Sequence, residues 1–249
     1  MFEELKNLFP QLRATQQVRI LQLARTLVNG ASFYTNRSSD FATQEFNENF
    51  GDLLLEHNLS STSPLTKDKF EYALVSALNQ SGFDATKLPN GNPGEDIIVN
   101  GEPWSLKTQA DRSINHDFLH ISKFMELGKG AWLTESDIRS LQDRMFQHMT
   151  HYKRILSLRC FKSDLNPGTH YEYELVEIPI SLLMSSAQQP IEIQTKSRQT
   201  PKPAYIRVYD SKDNLNFRLY FDGGTERKLQ VQRIRKDLCT VHTTWTFTV

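Results

Sequence analysis

Apolar residues recur at helical spacing through the first part of the chain. The pattern continues as far as Gly30, a residue suited to the end of a helix. Residues 31–40 are polar and aromatic and predict a loop, and residues 46–59 predict another helix. We therefore expect residues 1–60 to form an N-terminal helical lobe. The apolar positions before Gly30 are Leu5, Leu8, Phe9, Leu12, Val18, Leu21, Ala24 and Val28.

The clearest helical pattern lies between Pro64 and Ser81. Thr66 is suited to cap its N-terminus, and Gly82 ends it. Its apolar positions follow the i, i+3, i+4, i+7, i+8 spacing of a helix with one buried face. Glu71 lies beside this stripe rather than opposite it. The stripe consists of Phe70, Ala73, Leu74, Ala77 and Leu78.

A β-hairpin is predicted around Asn100-Gly101. This dipeptide suits a two-residue turn in which both residues have positive φ. The β-branched run 97–99 precedes it, and residues 103–107 follow it. If the dipeptide is the whole turn, the register pairs Val99 with Glu102, Ile98 with Pro103, Ile97 with Trp104, and Asp96 with Ser105.

This register sorts the hairpin side chains onto two faces. Asp96, Ser105 and Lys107 project from one face, within roughly 5–8 Å of one another. The opposite face packs through Ile97, Trp104 and Leu106. An acid and an amine held side by side on strands suit cleavage of a phosphodiester. The alternative is an ordinary surface hairpin in which Lys107 is solvated.

The central region continues with two strands and a helix. Residues 82–94 are rich in Asn, Gly and Pro and predict a loop. Residues 117–123 predict a third strand, residues 134–152 a helix and residues 155–161 a fourth strand. From Thr66 the order is thus helix, three strands, helix, strand.

The last third of the chain is predicted to be β-rich. Asn166-Pro167-Gly168 predicts a turn, and residues 187–203 predict a polar loop. The strands are expected at 171–178, 204–209, 215–221, 225–235 and 240–249. In the strand at 225–235, Ile234 falls on the same side as Lys228 and Gln230. We interpret residues 61–249 as one continuous α/β domain with a C-terminal β-rich extension.

The charge balance, the cysteine count and the lack of a long apolar run argue against several classes of function. The 249 residues include 29 Lys plus Arg and 29 Asp plus Glu, so the net charge is close to zero. A nonspecific nucleic-acid binder is usually strongly basic, whereas an enzyme with a basic cleft can be neutral overall. Cys160 and Cys239 are too few for a disulfide framework, and no zinc-finger spacing is present. No signal peptide or long apolar run is found, so we expect a cytoplasmic protein without membrane insertion.

The hairpin residues resemble the motif of the PD-(D/E)XK nucleases. Asp96 matches the first acid, and Ser105-Leu106-Lys107 matches the acid-x-Lys segment, with Ser105 in place of the usual carboxylate. The resemblance implies an αβββαβ core, the element order predicted above. It also implies that a Glu on the preceding helix can face the metal, so Glu71 is a candidate to replace the carboxylate absent at Ser105. The alternative is that Glu71 is a boundary residue of its helix.

Several collinear segments also resemble the SmaI family of type II restriction endonucleases. This resemblance implies a homodimeric, Mg²⁺-dependent bacterial enzyme that cuts double-stranded DNA at the palindrome CCCGGG and leaves blunt ends. A cognate DNA methyltransferase is expected in the same system, but not as a stable partner. The segments are 60–71, Asn92-Pro93-Gly94 with Asp96-Ile97, 106–108, 125–132, 175–179, 201–203 and 219–230.

The resemblance assigns roles around the motif. Asp96 is the expected primary metal ligand, Glu71 the second carboxylate, and the carbonyl of Leu106 a further ligand. Lys107 would hold the attacking water or neutralise the scissile phosphate. Mg²⁺ prefers such oxygen ligands together with substrate phosphate and water.

Other polar residues near the motif are candidates for DNA contacts or for proton transfer. Ser105 contributes at most a hydroxyl contact, and Gln109 lies on the same face of its strand and is a candidate phosphate contact. His116 and His120 are alternative general bases, although a His near a strand is more often a hydrogen-bonded surface residue.

Guanine recognition favours Arg and Lys, which can donate to O6 and N7 in the major groove. The candidates are Arg198, Lys202, Arg227 and Lys228, and the last two follow a Gly-Gly turn. For each, the alternative is a solvated charge or a phosphate contact. A palindromic site requires a two-fold dimer, for which the N-terminal helices are a candidate interface.

Two other functions remain compatible with the same fold. One is a repair or structure-selective PD-(D/E)XK nuclease, which would cut flaps or junctions without sequence dependence. The other is a catalytically inactive DNA-binding module, in which Ser105 marks the loss of the site. No His-Asn-His or Tyr pattern supports another nuclease class.

Overall fold

The computed structural model describes residues 1–89, 94–110, 114–166 and 168–249. The predicted loop at 82–94 and the predicted turn at 166–168 each extend into residues outside these ranges. The first half contains α1 (Phe2–Leu8), α2 (Ala14–Asn29), β1 (Ser32–Thr35), α3 (Gln44–Ser60), α4 (Lys67–Gln80), β2 (Ala85–Lys87), β3 (Ile97–Val99), β4 (Glu102–Gln109) and β5 (Phe118–Glu126).

The second half contains one long helix and most of the β-structure. Its elements are α5 (Glu135–Met149), β6 (Arg154–Asp164), β7 (Thr169–Glu177), α6 (Ile180–Met184), β8 (Ile191–Ile193), β9 (Ala204–Tyr209), β10 (Leu215–Asp222), β11 (Lys228–Arg235) and β12 (Thr240–Thr248). No helix of the described ranges is both long enough and apolar enough to cross a membrane.

Helices α4 and α5 form as their sequences predict. The Thr66 hydroxyl accepts a hydrogen bond from the Lys69 amide and so caps α4. Thr134 and Asp137 form a reciprocal capping box at the start of α5, which satisfies amides that the helix leaves unpaired. The predicted stripe of α4 faces the core, because Phe70, Leu74, Ala77 and Leu78 are buried.

Three of the four predicted hairpin pairs are confirmed. Ile97 pairs with Trp104, Ile98 with Pro103 and Val99 with Glu102. Asn100 and Gly101 have φ of 49° and 81°, the positive values that a two-residue turn of this twist requires. The packing face is buried as expected, with Ile97, Trp104 and Leu106 at most 3% exposed.

The hairpin belongs to a mixed sheet, which we call the first sheet. Its strand order is β1-β12-β7-β6-β4-β3-β2. Strand β6 runs parallel to β4, and the connection between them includes β5 and α5. Helices α3 and α4 pack on one face of this sheet and form the first core.

The prediction of the third strand is wrong in its location. Residues 118–126 do form a strand, but β5 belongs to a second sheet with the order β5-β11-β10-β9-β8. The strand beside β3 in the first sheet is β2, inside the segment predicted as a loop. Strand β2 has three residues, too few to show an alternating pattern of apolar and polar positions. The alternation in β5 predicts a strand but does not indicate which strand it pairs with. The α/β class is confirmed.

The second sheet and α5 form a second core against the other face of the first sheet. Its residues include Ile138 and Met145 of α5, Ile155 of β6, and the inward side chains of β9, β10 and β11. Successive side chains of β6 point to opposite faces of the sheet and so pack into different cores. Leu156 and Leu158 belong to the first core, and Ile155 belongs to the second.

Three predictions in the outer elements are corrected. Part of the predicted loop at 31–40 is strand β1, which pairs with β12 at the other end of the chain. The predicted polar loop at 187–203 contains strand β8, and α6 was not predicted. In β11 a bulge places Arg233 at a φ of 54°, which turns Ile234 into the core instead of toward the polar side.

A buried arginine connects the two sheets. Arg159 of β6 is fully buried and donates to Glu174 of β7 at 2.6 Å. The same guanidinium donates to the carbonyls of Asn115 and Phe118, where the chain enters β5. The start of the second sheet is thus held to the middle of the first by charge-assisted hydrogen bonds from Arg159.

Replacing this arginine should destabilise the whole chain. We expect Arg159→Met to lower the free energy of unfolding by about 3–5 kcal/mol, because one oxygen of the buried Glu174 carboxylate and the carbonyls of Asn115 and Phe118 lose their donor. Urea denaturation followed by circular dichroism measures the change. Arg218→Met is the control, since Arg218 bonds Gln232 on a partly exposed face and its loss should cost about 1 kcal/mol. Equal midpoints for the two variants would contradict this role for Arg159.

Candidate active site

Asp96 is fixed at the entrance of the hairpin by the neighbouring strand. Its amide donates to the Trp104 carbonyl at 2.9 Å. Its Oδ2 accepts from the Leu106 amide at 2.6 Å and from the Ser105 hydroxyl at 3.4 Å. Because backbone and side chain are both held by β4, the carboxylate has a defined position without depending on loop packing.

Lys107 extends the same face of β4. Its Nζ donates to the Ser105 hydroxyl at 3.0 Å and lies 5.9 Å from the centre of the Phe124 ring. Burial lowers the pKa of Lys107 to about 8, while Asp96 opposes the shift and Lys67 adds to it. Near neutral pH this amine is therefore a cation that loses its proton far more readily than an exposed lysine.

Glu71 faces the same region from α4. Its side chain is 8% exposed, and its two oxygens bind different lysines. Oε2 lies 3.0 Å from Lys87, and Oε1 lies 3.5 Å from Lys67. The Lys67 ammonium is also 2.6 Å from Oδ1 of Asp96. Glu71 and Asp96 thus share one cation, and the structure brings together the three residues predicted to be catalytic.

A cleft of about 290 Å³ opens over these groups, between β4 and β5. Asp96, Lys67 and Lys107 line one side, and residues 121–125 of β5 line the other. His148 closes one end, where its ring lies so near Gly94 that a Cβ there would approach within 3.2 Å. Burial, with the charges of Lys107 and His151, lowers the pKa of His148 to about 4, so its ring is neutral at pH 7.

The carboxylates are suited to a divalent cation. Asp96 and Glu71 present oxygen atoms on either side of a single ammonium group, so a positive charge is already stabilised between them. Two carboxylates and open room for water and phosphate match the donor set of a hard cation. Ser105 of the hairpin is fully buried and adds a hydroxyl rather than a carboxylate.

Three other predicted residues do not enter the cleft. Gln109 is buried, and its Oε1 accepts from the His120 amide at 3.1 Å and from Arg159 at 3.4 Å. The expectation that Gln109 contacts phosphate is therefore corrected, because its oxygen binds inside the protein. The His116 ring stacks on Phe161 at 3.9 Å, and neither His116 nor His120 lines the cleft.

The four candidates for guanine contacts lie on the second sheet and its loops. Arg227 donates to the carbonyls of Lys129 and Gly130, and Lys228 pairs with Glu226 at 2.9 Å. Lys202 donates to the Ser197 carbonyl, whereas Arg198 is exposed.

These contacts give Arg227 and Lys228 partners within the protein. Contact of either side chain with a base would require it to exchange that partner for DNA.

A second group of potential metal ligands lies away from the cleft. His116, Glu172 and Glu174 place ligand atoms within 4.8 Å of one another. Glu174, however, already binds Arg159 at 2.6 Å and Lys236 at 2.8 Å. A larger cavity of about 960 Å³ at the far end of β5 contains none of the residues predicted to be catalytic.

Sequence reasoning missed three cationic or titratable residues of the site. Lys67 precedes Glu71 by one helical turn, a spacing that signals an ion pair. Lys87 belongs to the short strand that was predicted as a loop, so its neighbours were not foreseen. His148 comes from the end of α5, and nothing in its local sequence indicates which cleft it lines.

Two comparisons relate the chain to known proteins. The sequence model of the SmaI family, described as type II site-specific deoxyribonuclease, matches residues 5–247. The type II restriction enzyme SmaI of Serratia marcescens is 42% identical over 215 residues, which cover 86% of this chain and 84% of that enzyme. No solved structure matches the chain.

The lowered pKa of Lys107 can be measured directly. We expect its rate of acetylation, followed by mass spectrometry of the peptide, to rise with a midpoint near pH 8. Asp96→Asn should move the midpoint lower, because it removes a negative charge that favours the ammonium form. Peptides containing the exposed Lys69 provide the reference for reagent reactivity. A midpoint at the ordinary lysine value of about 10.4 would contradict the burial of Lys107.

Proposed function

The chain belongs to the SmaI family of type II site-specific deoxyribonucleases, and from this we propose that it cuts duplex DNA at the palindrome CCCGGG in a Mg²⁺-dependent reaction that leaves blunt ends. That the chain is a restriction endonuclease follows from the family, and the target and cation are the added proposals. Under this proposal the enzyme acts in the bacterial cytoplasm, beside a DNA methyltransferase that protects the host sites.

The fold proposed for the catalytic core is PD-(D/E)XK. In chain order α4, β2, β3, β4, α5 and β6 give the αβββαβ arrangement, with β5 inserted between β4 and α5. The four strands are neighbours in the order β6-β4-β3-β2. The proposed core is supported by these four adjacent strands of the first sheet, which include the hairpin β3–β4 that carries the motif residues.

Asp96 and Glu71 would hold the cation. The observation that carries this assignment is their convergence on one ammonium group, which marks a position where positive charge is stabilised from both sides. A bound Mg²⁺ supplies an acidic water and charge relief at the phosphate. The Leu106 carbonyl is proposed as a further ligand. In this arrangement Glu71 on α4 takes the part of the carboxylate that Ser105 lacks.

Lys107 is proposed to act on the attacking water and the scissile phosphate. Its amine lies on the cleft side of β4, and its pKa near 8 lets it carry a proton or accept one close to neutral pH. Ser105 orients it, because the hydroxyl binds both Lys107 and Asp96. In its charged form Lys107 would offset the negative charge that develops on the phosphate.

Recognition of guanine is proposed to involve Arg198, Lys202, Arg227 and Lys228. All four lie in or beside the second sheet, which forms one wall of the cleft through β5. Arg227 already holds the loop at Lys129 and Gly130, so it positions that loop in the absence of DNA. Contact with O6 and N7 of guanine is the proposed role of those side chains that reach the major groove.

A palindromic target implies two copies of the active site, and we propose a homodimer through α1 and α2. Neither helix has a buried residue, although both carry apolar side chains. Val28 is 86% exposed and Leu21 is 44% exposed on α2. Monomers rarely leave such a face uncovered, and a two-fold contact would cover the same face on each copy.

The catalytic roles are tested by cleavage of long unmethylated DNA containing CCCGGG sites. We expect the wild-type protein to give discrete blunt fragments with Mg²⁺ and none with EDTA. Asp96→Ala and Lys107→Ala should each reduce the cleavage rate by about a thousandfold. The first removes a metal ligand, and the second removes a charged group at the phosphate. Binding of DNA in a gel-shift assay should persist, and Lys69→Ala is the control for loss of a lysine charge.

Each alternative gives a different result in this assay. Normal cleavage by Lys107→Ala would refute the role of Lys107, and normal cleavage by Glu71→Ala would refute the second carboxylate alone. Discrete cuts at other sequences would remove the CCCGGG assignment. Sequence-independent cuts at flaps would indicate a structure-selective nuclease, and binding without any cleavage would indicate a binding module.

The dimer is tested by changing the exposed face of α2. We expect sedimentation to give a dimeric mass for the wild-type protein and a monomeric mass for Leu21→Glu/Val28→Glu, because buried like charges prevent the contact. Leu165→Glu changes another exposed leucine, 54% exposed, and should leave the dimer intact. A dimeric double variant would place the interface elsewhere, and a monomeric wild type would refute the dimer.

A further inference from the structure

Lys67 contacts both of the carboxylates assigned to the site, Asp96 and Glu71. Its ammonium lies 2.6 Å from Asp96 and 3.5 Å from Glu71. The two acidic side chains are 14% and 8% exposed, whereas the lysine side chain is 45% exposed. Lys67 therefore binds two mostly buried carboxylates, while nearly half of its own side chain is accessible to solvent.

The other two lysines nearby hold different positions. Lys87 binds the second oxygen of Glu71 from β2. Lys107 binds the Ser105 hydroxyl from β4. Lys67 is thus the lysine that contacts both carboxylates, and it comes from the first turn of α4. Two neighbouring carboxylates repel each other, and the Lys67 ammonium, in contact with both, offsets part of that repulsion.

We propose that Lys67 is a built-in counter-ion that competes with the divalent metal ion for Asp96 and Glu71 in the DNA-free enzyme. The proposal rests on the proposed metal site. A metal ion and the Lys67 ammonium carry like charges and compete for the same carboxylate oxygens, so binding of the metal by both Asp96 and Glu71 would require Lys67 to move away. The exposed and flexible lysine stem permits this movement without a change in the backbone.

This competition lowers the affinity of the free enzyme for metal. A ligand that binds only a minor conformation has an apparent affinity reduced by the population of that conformation. While Lys67 contacts Asp96 and Glu71, its two ion pairs hold these side chains in position. Lys67 is therefore a positioning residue of the metal-free enzyme and an inhibitor of early metal binding.

The test is metal binding without DNA, measured by Mn²⁺ titration with water-proton relaxation. We expect Lys67→Met to bind Mn²⁺ roughly three- to tenfold tighter than the wild-type protein, as removal of one partly exposed ion pair would allow. Lys69→Met is the matched control. It removes the same charge two residues away, from an exposed side chain, and should change the affinity less than about twofold.

A second readout is the thermal unfolding midpoint. Without metal, Lys67→Met should unfold at a lower temperature than the wild-type protein, because the carboxylates lose their shared counter-ion. With Mn²⁺ its midpoint should rise by more than that of the wild-type protein, since tighter binding stabilises the folded state further. Lys67→Gln should behave in the same direction and serves if the Met variant does not fold.

The outcomes separate this inference from the proposed function. Asp96→Asn should abolish tight Mn²⁺ binding in every background. If binding depends on Asp96 but Lys67→Met binds no more tightly than Lys69→Met, the counter-ion role is refuted and the metal site stands. If no variant shows Asp96-dependent binding, the metal assignment itself is refuted.

Discussion

Strand β4 is hydrogen-bonded on both sides, antiparallel to β3 and parallel to β6. This double pairing fixes which side chains face the first core and which face the cleft. Trp104 and Leu106 are buried on one side, while Ser105 and Lys107 lie on the other beside Asp96. A slip of one residue would reverse the two sets, so the register that builds the core also builds the site. The buried contacts of Arg159 then set where the second sheet meets this strand.

The electrostatics of the cleft are local and do not follow from the neutral net charge of the chain. Three lysines lie near two mostly buried carboxylates: Lys67 contacts both, Lys87 contacts Glu71, and Lys107 binds Ser105. In a partly desolvated site such charges interact more strongly than on the surface. The pKa of Lys107 is lowered to about 8, so this amine titrates close to neutral pH. The pKa of His148 is lowered to about 4, so its ring is neutral at pH 7. A DNA phosphate entering this cleft would meet positive charge that the composition does not reveal.

Sequence reasoning succeeded where one local pattern determines one structure. The Asn100-Gly101 turn fixes the hairpin register, and the stripe beside Glu71 fixes the face of α4. It failed where the deciding partner is distant or the element is short. Strand β2 has three residues, and nothing in residues 118–126 indicates that they join another sheet. Gln109 was placed correctly on its strand, but its hydrogen bond to Arg159 depends on a strand that follows much later.

Two strands that are far apart in sequence are neighbours in the first sheet, where Phe33 of β1 pairs with Trp245 of β12. The Trp245 ring is fully buried and lies 4.9 Å from Phe50 and 6.2 Å from Phe46 of α3. The first core therefore remains incomplete until the last strand has been synthesised and has docked. The segment that carries Asp96 and Lys107 precedes β12 in the chain, so it is synthesised before the strand that completes this core. A chain truncated before Trp245 would lack the side chain against which Phe46 and Phe50 of α3 pack, so assembly of the first core requires a strand encoded far downstream of this helix.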